Sequence, residues 1–88
     1  MEGSSLVYSD TSVTSVAGVV SVGHHTSAIY FWNKNTSTDA EVKLNGIFSI
    51  IIPQSASGGE GVYTEIIGDY TKFEVITTSV DLAVYAVG

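Results

Sequence analysis

The chain has no cysteine and no arginine, a single proline, and only three cations, Lys34, Lys43 and Lys72, among 88 residues. Without thiols there can be no disulfides, no thiolate metal sites and no cysteine nucleophile. Three lysines against nine carboxylates leave a formal net charge of −6. Displacing counterions from phosphates requires clustered Lys and Arg, so nucleic acid is not an expected partner. An anionic membrane surface is disfavoured for the same reason. Charged residues reach only 14%, against roughly a quarter in ordinary soluble domains.

Long hydrophobic runs are also missing. The longest apolar stretches, Val16 to Val22 and Ile47 to Ile52, are far short of the roughly 20 residues a membrane-spanning helix needs. The start, Met1-Glu2-Gly3-Ser4-Ser5, lacks the basic segment of a secretory leader. The sequon Asn35-Thr36-Ser37 therefore reads as turn chemistry. Good helix formers are scarce, with Leu only at 6, 44 and 82 and Gln only at 54.

What is present points to strands. Val, Ile and Thr make up about a third of the chain, and β-branched residues suit a pleated, half-buried surface. Hydrophobic residues total 44% and the mean hydropathy is +0.30. That is high for a small monomer with most of its surface in water, and burial against neighbouring subunits would resolve it.

Strand-like runs recur about every ten residues between turn signals, as in a sandwich or barrel. Leu6 to Tyr8 reads as a first strand ended by Ser9-Asp10. Thr11 to Val22 follows, with a bulge or bend at Ala17-Gly18. Ser27 to Trp32 carries apolar or aromatic residues on both faces and ends in the polar loop Asn33 to Asp39. Ala40 to Leu44 alternates cleanly, as a half-buried strand does. Asn45-Gly46 is the strongest hairpin signal, and Ile47 to Ile52 is the return strand. Pro53 opens a Ser- and Gly-rich loop to Gly61. Val62 to Ile67, Thr71 to Thr77 and Val80 to Val87 complete the set. The expectation is one all-β domain over residues 1–88, a small antiparallel β-sandwich of about eight strands, jelly-roll-like or immunoglobulin-like.

A two-residue loop at Asn45-Gly46 would set Leu44 opposite Ile47, Lys43 opposite Phe48 and Glu41 opposite Ile50. Phe48, Ile50 and Ile52 would then share an outward face with Lys43 and Glu41. A sandwich strand should be wet on that side, so either another chain covers it or a bulge shifts the register. Tyr30 and Trp32 against Ile29 and Phe31 pose the same question, as do Tyr85 and Val87 against Val84 and Ala86. Three such strands favour a protein interface, with Phe48, Ile50, Ile52, Tyr30 and Trp32 as its expected residues.

No residue set carries catalysis. His24 and His25 are adjacent, and neighbouring strand positions point to opposite faces, so they are poorly placed to chelate one ion. Asp39 and Glu41 share a face but show no sign of the pocket that acid–base work requires. Gly58-Gly59-Glu60-Gly61 lacks the following Gly-Lys-Ser/Thr and helix of a phosphate loop. There is no Gly-x-Ser-x-Gly motif and no EF-hand loop. Neither an enzyme nor a cofactor or metal site is expected. The aromatics Tyr8, Tyr30, Trp32, Tyr63, Tyr70 and Tyr85 raise the alternative of a sugar-stacking platform.

Four segments, Ala28-Ile29-Tyr30-Phe31-Trp32-Asn33, the hairpin at Asn45-Gly46, Ile67-Gly68-Asp69-Tyr70-Thr71 and the ending Asp81 to Gly88, together resemble short virion proteins of tailed bacteriophages. These include capsid decoration (cement) proteins and small fibre or tail modules, many of them compact β-sandwiches. The resemblance runs loosely from position 27 to the end. It implies a non-enzymatic protein on the capsid exterior, present in host cytoplasm before assembly, with the major capsid protein or other virion proteins as partners. It also implies a symmetric homo-oligomer, a trimer first. A carbohydrate- or receptor-binding module at a fibre or tail tip is the alternative.

Overall fold

The computed structural model of the protein describes residues 5–55 and 62–88. They form eight strands and one 3-10 turn: β1 (Leu6–Val13), the turn at Ser15–Ala17, β2 (Val19–Ser21), β3 (Ala28–Asn33), β4 (Ala40–Leu44), β5 (Phe48–Ile52), β6 (Thr64–Ile67), β7 (Lys72–Val75) and β8 (Leu82–Val87). The strands make two four-stranded sheets, β1-β8-β3-β6 and β2-β7-β4-β5, with every pairing antiparallel. Only β4 and β5 are consecutive neighbours within a sheet; every other connection crosses between sheets. That strand order is the double Greek key of a jelly roll. It decides between the two sandwich topologies left open by the sequence.

The core is the space between the inner faces. From the first sheet come Ile29, Phe31, Leu82, Val84 and Ala86, and from the second Ala40, Val42, Leu44, Ile52, Phe73 and Val75, all at 1% exposure or less. Phe31 and Phe73 meet edge-to-face across the layers, with ring centroids 5.5 Å apart, and Tyr8 packs on the other side of the contact at 5.9 Å from Phe73. Such pairs add about 0.5–1.5 kcal/mol beyond simple burial.

Two buried polar residues hold the connections in place. Asn33, 1% exposed, donates to the carbonyls of Thr38 (2.9 Å) and Ile52 (3.2 Å) and accepts from the Asn35 amide at 2.9 Å. Thr26 donates its hydroxyl to Gly68 O and accepts from the Tyr70 amide at 2.7 Å. Each group is satisfied, which makes its burial tolerable. Tyr70 then folds back so that its hydroxyl donates to Ile67 O at 2.9 Å. This packing needs glycine at 68: the backbone there has φ +145, and a Cβ would stand 2.8 Å from the Tyr70 hydroxyl.

Several boundaries differ from those read in the sequence. The first strand does not stop at Ser9-Asp10 but runs to Val13, because pairing with β8 continues through Asp10↔Val84 to Val13↔Leu82. Ser9 and Asp10 lie on an edge strand, where polar side chains reach water without breaking the ladder. Thr11 to Val22 is accordingly split between β1, the 3-10 turn and β2, around Gly18 at φ +67. Asn35 forms the expected turn, its Oδ1 accepting from the Ser37 amide at 2.8 Å.

The hairpin register is corrected by one residue. Asn45 (φ 57) and Gly46 (φ 70) do take left-handed conformations, and the Ile47 amide donates to Leu44 O at 3.1 Å. Ile47 itself stays outside the ladder, however, so Leu44 faces Phe48, Lys43 faces Ser49, Val42 faces Ile50 and Ala40 faces Ile52. A one-residue slip sends every side chain to the other face. Phe48, Ile50 and Ile52 therefore point inward, and Ser49 and Ile51 point outward. The shifted register turns most of the apolar excess of this strand inward, leaving Ile51 outward at 58% exposure.

Candidate functional site: an outward aromatic face

Strand alternation places Ala28, Tyr30 and Trp32 of β3 on the outer face of the first sheet, beside Ala83, Tyr85 and Val87 of β8. The register Tyr30↔Tyr85 and Trp32↔Ala83 brings these positions side by side. Tyr30 and Tyr85 stack nearly parallel, with centroids 4.5 Å apart and planes 8° from each other. Tyr63, just before β6, meets Tyr85 at 5.0 Å and 73° and Trp32 at 6.1 Å. The four rings form one connected cluster, and Leu6 and Ile67 lie on the same face at 62% and 68% exposure.

Polar groups fix the rings in place. The Tyr30 hydroxyl donates to a Glu65 carboxylate oxygen at 2.6 Å, and Glu65 sits directly opposite Tyr30 across β3 and β6. That hydrogen bond is the main reason the Tyr30 phenol is held above its ordinary pKa, with desolvation and the Glu65 charge adding to it. Trp32 Nε1 donates to Ser55 Oγ at 3.1 Å, and Ser55 Oγ donates in turn to Asn33 O. Lys34 Nζ stands 5.8 Å from the Trp32 ring centroid, within cation–π range.

This geometry limits what the face can do. Tyr30 and Tyr85 each present one ring face to the other, and the Trp32 ring has both Tyr63 and Lys34 as neighbours. A surface of aromatics with a polar periphery is the composition found at protein interfaces.

Of the five residues expected at an interface, Tyr30 and Trp32 fall in this cluster. Phe48, Ile50 and Ile52 do not join it. Ile52 is 1% exposed and part of the core, Ile50 packs against the core from a half-buried position, and Phe48 lies against Tyr70 at 6.3 Å, 44% exposed. Of the six aromatics considered as a sugar platform, Tyr8 and Tyr70 pack inward, while Tyr30, Trp32, Tyr63 and Tyr85 cluster. The clustering of Tyr85 and Tyr63 with Tyr30 was not legible in the sequence, because it depends on β3 pairing with strands far away along the chain. Glu65 and Lys34 carried no signal for the same reason.

Among the other candidate residues, His25 and Asp39 have structural partners. His25 Nδ1 lies 2.7 Å from Asp69 Oδ2, both well exposed. Asp69 also accepts from the Thr26 amide at 3.1 Å, and the His25 hydrogen bond, ahead of this one, holds its carboxyl below the usual range. Asp39 accepts from the Gln54 amide at 3.0 Å. An open depression of about 590 Å³ beside the 3-10 turn includes Lys34, Asn35, Ser79 and Asp81. Its cation is bonded to Thr11 O and lies 3.7 Å from Asp81. Among the described residues no group of three or more His, Cys, Asp or Glu is placed to hold a metal ion, and no helix is long and apolar enough to cross a membrane. Gly58-Gly59-Glu60-Gly61 lies outside the described residues.

Fold and face together define an antiparallel jelly-roll sandwich with an aromatic outer surface on one sheet. No family model, curated protein or solved structure matches the chain.

Proposed function

We propose that the protein is a non-enzymatic virion structural protein of the capsid-decoration type. It attaches to coat subunits through the outer face of the sheet β1-β8-β3-β6. The observation that carries this reading is the cluster of Tyr30, Trp32, Tyr63 and Tyr85, prearranged by stacking and hydrogen bonds on an outward sheet face. Rigid aromatic anchors lose little conformational entropy on binding and dominate interface energetics. Jelly rolls recur among viral capsid domains, a fold-level analogy that supports the class and not the site.

Co-sedimentation of the purified protein with empty shells of the virus that encodes it tests the proposal. The wild type pellets with shells, and Tyr85→Ser, which removes the central ring, stays in the supernatant with its fold retained. A wild-type protein that ignores the shells overturns the reading.

The clustering of four aromatics also favours a second reading, a carbohydrate-binding module at a fibre or tail tip, since jelly rolls serve as lectin domains too. Sugar stacking uses an open ring face, and each ring here already has an aromatic neighbour. Saturable quenching of Trp32 fluorescence by a glycan would favour this second function over the first.

A further inference from the structure

The chain has no cysteine and one tryptophan, so Trp32 and the tyrosines are the side chains that give up a single electron most readily. Transfer of an electron between rings falls steeply with separation, and rings in contact act as stepping stones. Trp32 stands at one end of such a run. Its ring centroid lies 6.1 Å from that of Tyr63, Tyr63 lies 5.0 Å from Tyr85, and Tyr85 lies 4.5 Å from Tyr30 in a nearly parallel stack. Each step falls within the roughly 4.5–7 Å of aromatic pairs in contact. The other two tyrosines have different neighbours. Tyr8 meets Phe73 and Tyr70 meets Phe48, and a phenylalanine ring gives up an electron far less readily.

The two ends of the run differ in what receives a proton. Trp32 Nε1 donates to Ser55 Oγ at 3.1 Å, a neutral hydroxyl whose own proton is given to Asn33 O. The Tyr30 hydroxyl donates to the Glu65 carboxylate at 2.6 Å. A phenol that has lost an electron is a strong acid, and a base already in hydrogen-bond contact takes its proton without rearrangement. Among the described residues, Tyr30 is the one ring of the four that donates to a carboxylate. An electron vacancy made at Trp32 therefore has a more stable resting place at the far end of the run.

We infer that the run Trp32-Tyr63-Tyr85-Tyr30 carries one-electron oxidation from the single tryptophan to Tyr30, with Glu65 as the proton acceptor. The oxidant is a diffusing one-electron oxidising radical, which takes an electron from the Trp32 indole and leaves as its anion. An electron then moves from the Tyr30 phenol through Tyr85 and Tyr63 to the indole, and the Tyr30 hydroxyl proton passes to Glu65. Trp32 is restored with its N–H, Tyr30 becomes a neutral phenoxyl radical, and the protonated Glu65 returns its proton to solvent. Tyr30 is thus the residue that such radicals finally modify. This activity belongs to the isolated protein and does not depend on attachment to a shell.

Pulse radiolysis of the purified protein in azide tests it, because azide radicals oxidise indole in preference to phenol and the chain has one indole. In the wild type the indolyl absorbance decays as the phenoxyl absorbance rises, at a single rate that does not change with protein concentration. A nitroso spin trap followed by mass spectrometry finds the adduct on Tyr30. Tyr63→Phe loses the concentration-independent phase, since the stepping stone beside Trp32 is gone. Glu65→Gln keeps a hydrogen-bond acceptor but no base, so it slows the conversion and shifts the adduct away from Tyr30. Tyr70→Phe leaves rate and adduct unchanged. Circular dichroism is the same for all four proteins, as each substitution alters an atom or two outside the sheet ladders. Conversion that depends on protein concentration, a wild-type rate in Tyr63→Phe or Glu65→Gln, or a wild-type adduct on Trp32 or Tyr70 overturns the inference.

Discussion

The two sheets are alike in strand number and unlike in what they turn toward solvent. Outside β2-β7-β4-β5 lie Lys43, Lys72, Glu41 and Glu74, with Lys43 directly opposite Glu74. Charge of both signs is interspersed there with Ser21, Ser49, Val19 and Ile51. Outside β1-β8-β3-β6 the central strands instead show Tyr30, Trp32 and Tyr85, with Ala28 and Ala83 at 4% and 3% exposure among them. The second surface is what a sandwich needs in water. The first is organised beyond that need, because its rings are stacked and hydrogen-bonded where solvent would accept Ser or Thr. The difference separates a face of dispersed charge from one of interlocked aromatic rings.

Substitutions grade this comparison from the inside outward. The largest effect belongs to the core contact that both sheets share: Phe31→Ala or Phe73→Ala should cost about 3–5 kcal/mol, read as a lowered urea midpoint. Equal losses at both positions would show that the sheets melt as one unit. Next come the buried polar residues that tie loops to sheets. Asn33→Ala leaves the carbonyls of Thr38 and Ile52 without their donor and should cost about 1–3 kcal/mol. Gly68→Ala belongs in the same range, since the added methyl meets the Tyr70 ring at a backbone angle side chains rarely adopt.

The outer faces separate at the third level. Tyr85→Ser should lower stability by about 0.5–1.5 kcal/mol through loss of stacking, and Lys43→Ser should stay within about ±0.5 kcal/mol. Similar values at the two positions would erase the distinction between the faces. The smallest effect is ionic. Tyr30 has a raised pKa in the fold, so its neutral form contributes stability below the ordinary tyrosine range. That contribution is lost as pH climbs through the raised value. An ultraviolet titration of wild type against Tyr30→Phe should show one fewer late-ionising phenol in the variant, Tyr8 being raised as well by burial and Asp10. Asp69 has the opposite sign: its lowered pKa contributes stability above the ordinary carboxylate range, lost as pH falls through the folded value.

Much of this architecture was legible from the residues. Ala40 to Leu44 alternates so regularly that its strand, its boundaries and its buried face were all readable, and Asn45-Gly46 marked the turn that follows. The register beyond that turn was not. Asn45 Oδ1 accepts from the Thr71 amide at 2.9 Å and its Nδ2 donates to Asp69 O at 3.1 Å, so a contact with a distant segment helps fix how the loop sits. Ile47 is left unpaired, and the faces of β5 exchange. Tyr30 and Trp32 were readable as a surplus of outward apolar residues on a strand that already had a buried face. Their neighbours Tyr85, Tyr63 and Glu65 come from other strands, and only the jelly-roll order assembles them. Local spacing thus located part of the site, and topology supplied the rest.

The most direct measurement is hydroxyl-radical footprinting of the protein free and bound to empty shells. The account predicts that Tyr30, Trp32, Tyr63 and Tyr85 become protected on binding while Val19 and Ile51 on the opposite sheet keep their reactivity. Protection of Val19 with undiminished labelling of the aromatic cluster would contradict it.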